Sequence, residues 1–268
     1  MDNIYAMIME KFTVFFLVLV RMSSLFVITP VFGRRSVPNY FKIGLAFFCT
    51  VILVPLLGDV KVEYSNIYAY GGIVLKELLI GIVMGYVSFL VFSAIYVAGQ
   101  IIDMQIGFGM VNILDPMTET QVPLMGNFLY ILSTMFFLVI DGHYILLQAL
   151  FKSYNLIPVD MAAFDNYMVS NIIKIFVETF EIGFKISIPI LAASLLAEVS
   201  LGILAKTVPQ MNVFVVGMPL KIGLGLLTMV IVMPVFMDAM KVTFDLMYDY
   251  LYLIIRNMAS FSILLFKG

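Results

Sequence analysis

The chain has 268 residues, of which 63% are apolar and 12% are charged, with a formal net charge of −2 and a mean hydropathy of +1.09. Soluble domains contain roughly 45–50% apolar residues, so the composition excludes an ordinary soluble protein and indicates a membrane protein. The small net charge and the lack of a block of Lys and Arg argue against nucleic acid as a partner.

Apolar segments along the chain predict six or seven helices in a single domain, residues 1–268. These segments are residues 12–33, 43–57, 73–98, 124–151, 172–204, 213–237 and 246–266. Short links that carry Pro, Gly, Asn or Asp separate them, and the clearest links are 58–66 and 153–165. No alternating pattern typical of β-strands competes, so the predicted fold class is all-α.

Charged residues interrupt most of these segments, beginning with Arg21 in the first one. Only residues 78–102 and 120–140 are free of Asp, Glu, Lys and Arg over the roughly 20 residues that a lipid-surrounded helix needs. A charge at the centre of such a helix costs roughly 2.5–3.5 kcal/mol on the insertion scale. We therefore expect the other segments to face neighbouring protein.

The first uncharged run contains two glycines, Gly81 and Gly85, which lie four residues apart. Small residues at this spacing form one helical stripe and allow the backbone of another helix to come close. The pair predicts tight helix packing within the assembly, with a dedicated homodimer motif as the alternative.

The segment from Gly99 to Pro123 interrupts the apolar pattern and reads GQIIDMQIGFGMVNILDPMTETQVP. Irregular backbone at membrane depth is tolerated only where it is buried in protein or lines an aqueous path. Gly107 and Gly109 permit backbone conformations closed to other residues, Asp115 and Pro116 indicate a rigid turn, and flexible methionines fit irregular gaps. The segment predicts a pore-lining or pore-closing loop, with an ordinary re-entrant connector as the alternative.

No catalytic, metal or cofactor site can be recognised in the sequence. With one histidine, His143, and one cysteine, Cys49, the chain cannot build a His/Cys zinc site. It also lacks the G-x-S-x-G elbow and the phosphate-binding G-x-x-x-x-G-K-[ST] loop. Met110 follows Gly109 where an intramembrane aspartyl protease would have aspartate. We therefore predict that the protein is not an enzyme.

Three charged residues, Glu178, Glu181 and Lys185, lie at positions i, i+3 and i+7 of the fifth segment. This spacing places them on one helical face, with Glu181 positioned to pair with Lys185. Two interpretations stay open: a solvated face of a peripheral helix, or charges that pair with a neighbouring subunit. Further along the same face, Pro189 is predicted to kink or end its helix, as is Pro234 in the next segment.

Four stretches of the chain resemble the signature segments of a known family. They are Arg21 to Asn39 (RMSSLFVITPVFGRRSVPN), Gly99 to Met117 (GQIIDMQIGFGMVNILDPM), Asp141 to Tyr144 (DGHY) and Pro209 to Leu226 (PQMNVFVVGMPLKIGLGL). In this order they resemble the FliR family, the single-copy export-gate subunit of the bacterial flagellar type III secretion system, which has similar injectisome homologues. The resemblance extends from Arg21 to about Pro234.

The resemblance implies membrane-associated helical hairpins arranged like a fusion of the gate subunits FliP and FliQ, with a re-entrant plug loop. Residues 1–205 would form the FliP-like part, and residues 206–268 would complete the hairpins at the C-terminus. Implied partners are FliP-like and FliQ-like gate subunits, an FlhB-like switch subunit, other export components, exported unfolded proteins and membrane lipid. The implied location is the flagellar basal body in the bacterial inner membrane, and no cofactor is implied.

The resemblance also assigns residues to two sites in a subunit that would help to form and plug the export channel and template its helical assembly. The pore plug would lie within residues 107–123 and include Gly107, Phe108, Gly109, Met110, Asp115 and Pro116. The assembly hairpin between the two C-terminal helices would include Pro209, Gln210, Asn212, Phe214, Gly217 and Pro219. Lys221 receives no fixed role, because some family members have an uncharged residue there.

A secondary transporter of small solutes, with a broken helix at residues 99–123 as its binding site, is the alternative function. Two features argue against it: the sequence has no convincing inverted repeat, and it has few long uncharged spans.

Overall fold

The computed structural model describes residues 2–34, 37–58, 60, 62, 64–110, 123–162, 164–210 and 212–265. Within these residues all regular structure is helical, which confirms the predicted all-α class. The helices are α1 (Asp2–Ile28), α2 (Asn39–Leu53), α3 (Ile67–Ile106), α4 (Leu124–Val139), α5 (Gly142–Leu156), α6 (Asn166–Thr207) and α7 (Val213–Leu265). Short 3-10 helices follow α2 at Val54–Leu57 and α3 after Gly107, at Phe108–Met110.

Two predicted segments are divided differently in the structure, and α3 continues eight residues beyond its predicted end at residue 98. The predicted segment 124–151 is two helices, α4 and α5, separated at Asp141, which adopts a left-handed backbone with φ of 57°. The predicted segments 213–237 and 246–266 are instead one helix, α7. The charged residues between them, such as Lys241, lie on its exposed side and therefore do not interrupt it.

Neither of the two prolines that were predicted to kink or end a helix ends it. Pro189 lies inside α6 and Pro234 inside α7, as does Pro219. The other half of the prediction, a kink, stays a prediction. A proline removes one backbone hydrogen bond, and a long helix that packs on neighbours keeps the bonds on either side of it.

Five helices in the described part of the chain are long and apolar enough to cross a membrane: α1, α2 with its 3-10 extension, α3, α6 and α7. The bent pair of α4 and α5 would make a sixth span. More helices qualify than the two uncharged runs suggested, because an apolar stretch tolerates one or two charges.

The chain folds into two compact units. The first consists of residues 1–90, 141–176 and 246–268, and the second consists of residues 91–140 and 177–245. The predicted division into residues 1–205 and 206–268 follows family resemblance and stays a prediction.

In the first unit, α3 packs closely against α1 at the two glycines that the sequence singled out. A Cβ atom on Gly81 would collide with the carbonyl oxygen of Arg21 and the hydroxyl of Ser24. One on Gly85 would come within 2.9 Å of the Cβ of Ile28. The predicted tight helix contact is confirmed within the chain.

An ion pair lies in the same interface, where neither side chain has any exposed surface. The guanidinium of Arg21 donates from Nε to Oε2 of Glu77 at 2.6 Å and from Nη2 to Oε1 at 3.0 Å. Its Nη1 donates to the Ser153 hydroxyl and the Ile157 carbonyl oxygen, each at 3.2 Å, and the group lies 4.0 Å from the centre of the Tyr154 ring. The charge in the first segment is thus fully partnered.

Two residues of α3, Lys76 and Glu77, hold the connector that follows α5. Lys76 Nζ donates to the carbonyl and carboxylate oxygens of Asp160 at 3.2 and 3.1 Å, and the Asp160 N–H donates to Glu77 at 3.2 Å. Asp160 adopts a left-handed φ of 71°. The link begins at Ile157 rather than at Ser153, because α5 continues to Leu156.

Aromatic side chains form the centre of the second unit. Phe92 of α3, Phe137 of α4 and Phe244 of α7 lie with ring centres 5.0–5.2 Å apart. Tilted and edge-on contacts of this kind add to the free energy gained from apolar burial. The cluster holds α4 and α7 on the second half of α3.

Candidate functional site

The loop that the sequence analysis placed at residues 99–123 begins later than predicted, because residues 99–106 still belong to α3. Gly107 has a φ of 102°, and its N–H donates to the carbonyl oxygen of Asp103 at 3.2 Å. This conformation is costly for a residue with a Cβ, and a glycine that adopts it commonly ends a helix. The position of Gly107 therefore explains why an apolar helix of 40 residues stops at Ile106.

The predicted plug residues fall partly within the described structure. Phe108, Gly109 and Met110 form the 3-10 helix, with Phe108 half-buried and Gly109 exposed. Gly109 has no positive φ, and no described residue has an atom within 4 Å of a Cβ added there, so Gly107 is the glycine that the backbone requires. Asp115 and Pro116 lie outside the described residues.

The far end of the loop returns to Asp103. The Met125 N–H donates to both carboxylate oxygens of Asp103 at 3.0 Å, and the Gly126 N–H donates to one of them at 3.1 Å. Pro123, in the N-cap position of α4, makes no side-chain capping bond. A carboxylate from α3 thus satisfies the free N–H groups at the start of α4.

The carboxylate of Asp103 is almost fully buried, because the residue is only 4% exposed. A buried charge is costly unless it is hydrogen-bonded or paired. Here the three bonds and the positive end of the α4 dipole offset that cost. The sequence interpretation assigned no role to Asp103; its only signal was an acidic residue next to a long uncharged run.

Two glycines bring α3 and α4 into backbone contact one turn before Asp103. A Cβ on Gly99 would come within 2.6 Å of the Gly126 nitrogen and 2.9 Å of the Met125 carbonyl carbon. Any side chain at position 99 would therefore push the start of α4 away from α3.

Residues of α6 and α7 hold the end of α3. The Ser194 hydroxyl donates to the Gln105 carbonyl oxygen at 3.0 Å, and Gln105 Nε2 lies 3.5 Å from a carboxylate oxygen of Glu198. Glu198 also pairs with Lys221 at 2.6 Å. Lys221, which received no role from the sequence, thus joins α7 to α6 beside the loop. We call Gly99, Asp103, Gly107, Met125 and Gly126 the loop base.

The predicted assembly hairpin lies at the link between α6 and α7. Pro209 and Gln210 form an exposed turn, and the Asn212 carbonyl oxygen accepts from the Val215 and Val216 N–H groups at 3.1 and 3.2 Å. Phe214, Gly217 and Pro219 lie beyond the turn, in the first turns of α7.

The predicted pair of Glu181 and Lys185 is confirmed, with a distance of 2.7 Å. The two side chains are 58% and 66% exposed, and Glu178 lies one turn earlier on α6. The two interpretations of this face, a solvated surface and a contact with another subunit, both stay open.

Metal-ligating residues are scattered in the part of the chain that the structure describes. No three His, Cys, Asp or Glu side chains there are placed to hold a metal ion. Cys49 is buried on α2, and His143 lies in the first turn of α5.

Comparison with known proteins places these features in a family. The family model of bacterial export proteins, family 1, matches residues 12–247. The flagellar biosynthetic protein FliR of Bacillus subtilis (strain 168) is 37% identical over 244 residues, which cover 89% of this chain and 93% of the relative.

More distant relatives match over a similar length. FliR of Pectobacterium carotovorum is 28% identical, covering 92% of this chain and 94% of the relative, and FliR of Escherichia coli K12 is 28% identical, covering 82% and 84%. The matched residues include the loop base. The chain therefore belongs to family 1 of the bacterial export proteins, the FliR family of the flagellar export apparatus.

Proposed function

We propose that this protein is the single-copy gate subunit of flagellar type III protein export, in which residues 107–123 plug the channel at rest. The observation that carries the proposal is the geometry of the loop base. The chain leaves α3 at Gly107 and returns to the same turn of α3 at Asp103. A segment whose two ends are both anchored to the same turn of one helix is suited to fill a pore.

Exposed apolar side chains on α6 support a role inside a larger assembly. Phe176, Phe180 and Phe184 are each at least half-exposed, and the pair of Glu181 and Lys185 lies on the same helix. Contact with lipid is favourable for the aromatic side chains but costly for the charges. Contact with water is favourable for the charges but leaves the aromatic side chains exposed. A neighbouring protein can accommodate both.

The partners that we propose are the FliP-like and FliQ-like gate subunits, with an FlhB-like switch subunit alongside. The turn at Pro209 and Gln210 would help to set the angle at which this subunit meets them and so template the helical assembly. The proposed location is the bacterial inner membrane, within the basal body, and the proposed cargo is unfolded protein.

Conductance of the reconstituted gate tests the plug. The chain is co-expressed with its gate partners, with Phe108–Met110 either present or deleted. The control deletes residues 60–62, which lie in the link between α2 and α3 and far along the chain from the loop. We expect the first deletion to raise conductance at rest and the control to leave it low.

The sign of the effect separates the gate from a transporter. A solute carrier that loses its binding loop becomes inert, whereas a gate that loses its plug passes ions and small molecules. Equal, low conductance with and without Phe108–Met110 would contradict the plug assignment. A loss of solute uptake without any leak would favour the transporter.

A further inference from the structure

One face of α2 and its 3-10 extension is exposed, apolar and uncharged. Residues 39–57 contain a single charged residue, Lys42. This lysine is buried, and its Nζ donates to the Gly33 carbonyl oxygen at 3.1 Å. The large apolar side chains of the stretch that are more than half-exposed are Tyr40, Phe41, Ile43, Phe48, Ile52 and Leu56. We call these six residues the α2 outer face.

The small and polar side chains of α2 lie on its other face, which packs on α1. Ala46, Cys49 and Thr50 are buried there, and the Thr50 hydroxyl donates to the Ala46 carbonyl oxygen at 2.7 Å. At the edge of this contact, the rings of Phe15 and Phe47 meet edge-on with centres 5.6 Å apart. Contacts between helices in a membrane are enriched in small residues and in Ser and Thr. The inner face of α2 has this composition, and the bulky outer face does not.

The length of the stretch matches a bilayer. The 15 residues of α2 and the four of the 3-10 helix span about 30 Å, which is the thickness of the hydrocarbon core. In the sequence, Arg34 precedes the stretch and Asp59 follows it, so charges stand beyond both ends. Tyr40 lies in the first turn of α2, and tyrosine is enriched where a helix meets the membrane surface.

The sequence analysis expected this segment to face protein, because its uncharged run is shorter than about 20 residues. The structure removes that objection, since the charge that shortens the run, Lys42, is turned inward and bonded. The whole exposed surface of residues 39–57 is then uncharged, over the length of a membrane span.

Exposed charges distinguish α6 from this face. On α6, the paired side chains of Glu181 and Lys185 are both more than half-exposed beside Phe180. Among residues 39–57, all of which the structure describes, no charge is exposed that could pair with a partner. An apolar surface of this length is also too large to face water. Acyl chains suit it, because they require neither a charge nor a hydrogen bond.

We infer that the α2 outer face contacts the acyl chains of membrane phospholipids. The inference rests on the proposed location in a membrane and does not depend on the proposed plug. It predicts that the partner subunits leave this face uncovered in the assembled gate. Phe48 lies at the middle of the stretch and should therefore meet acyl chains rather than lipid headgroups.

Photo-crosslinking in membranes that contain the chain and its gate partners tests this contact. Phe48→p-benzoylphenylalanine places a photoreactive ketone on the α2 outer face. The matched control is Phe180→p-benzoylphenylalanine on α6, because the two phenylalanines are 67% and 58% exposed. After irradiation, we expect the mass of the position-48 variant to increase by that of one phospholipid. We expect the position-180 variant to be joined to another protein chain.

A cross-link from position 48 to a protein chain would make the inference wrong, and so would the absence of any lipid adduct there. Phe41→p-benzoylphenylalanine, on the same face two turns earlier, provides the same measurement if the position-48 variant does not assemble.

Extraction of the same membranes with alkaline carbonate separates this inference from the proposed location. A chain that carbonate releases would contradict the membrane location itself. A chain that stays in the membrane, but is joined to protein at position 48, would contradict only the lipid contact of α2. Retention together with a lipid adduct at position 48 is the result that we expect.

Discussion

The carboxylate of Glu77 receives two hydrogen bonds from the guanidinium of Arg21, and both side chains are completely buried between α1 and α3. The two residues are 56 positions apart in the chain. Removing one partner of such a pair leaves an unpaired charge in the interior, which typically costs about 3–5 kcal/mol.

We therefore expect Arg21→Met to lower the thermal unfolding midpoint of the purified assembly strongly or to prevent its recovery. The matched control is Lys76→Met, because Lys76 precedes Glu77 and pairs with Asp160 in a setting where both side chains are more than one-third exposed. An exposed pair contributes about 0–1 kcal/mol. Equal losses in the two variants, measured by scanning calorimetry or by yield of assembled gate, would contradict this account.

The glycines of α3 offer a second test of the α1–α3 contact. Gly81→Ala should weaken packing, because its methyl group would meet the Arg21 carbonyl oxygen and the Ser24 hydroxyl. Gly71→Ala in the same helix has open space around the new atom, and alanine favours helix over glycine by about 1 kcal/mol. We expect a lower unfolding midpoint for Gly81→Ala and an unchanged or higher one for Gly71→Ala. The opposite order would exclude the contact.

The two glycines at the start of the loop should respond differently to valine. Gly107 has a φ of 102°, which costs a branched residue about 1–3 kcal/mol, whereas Gly109 has neither a positive φ nor a close neighbour among the described residues. We expect Gly107→Val to reduce secretion of flagellar substrates without raising resting conductance, and Gly109→Val to preserve secretion. If Gly109→Val is equally defective, backbone strain is not the cause.

Exchanging the charges of α6 distinguishes the two interpretations of its exposed face. Glu181→Lys with Lys185→Glu keeps a local pair, worth only about 0.2–0.5 kcal/mol, but reverses both charges toward any neighbour. We expect this double variant, like Glu181→Lys alone, to lose co-purification of the FliP-like and FliQ-like partners. Full recovery of the partners by the double variant would identify a solvated face instead.

Features that depend on neighbours in the sequence could be predicted. The pair of Glu181 and Lys185 follows from helical spacing, and the close contact at Gly81 and Gly85 follows from the absence of side chains on one stripe. In both cases, residues within two helical turns contain the whole signal. The end of α3 was predicted too early: the sequence analysis began the loop at Gly99, whereas the helix continues to Ile106 and ends at Gly107.

Features that depend on tertiary packing could not be predicted in this way. Arg21 and Glu77 each interrupt an apolar segment, and only the packing of α1 on α3 shows that they form an ion pair. Asp103 resembles an ordinary end-of-helix residue until α4 returns to it. Charges between residues 237 and 246 suggested a break, yet α7 continues because they lie on its exposed side. The local sequence does not show which face of a helix packs against the rest of the protein.

The lengths of α6 and α7 have a consequence for where the protein lies. The stretches of these helices inside the second unit, residues 177–207 and 213–245, have contours of about 46 and 50 Å at 1.5 Å per residue. The hydrocarbon core of a bilayer is about 30 Å thick, and fitting either stretch within it would need a tilt of about 50°, beyond the usual range. Part of each helix must therefore stand outside the hydrocarbon layer. Exposed Ile, Leu and Val side chains on that part therefore meet water or protein rather than lipid.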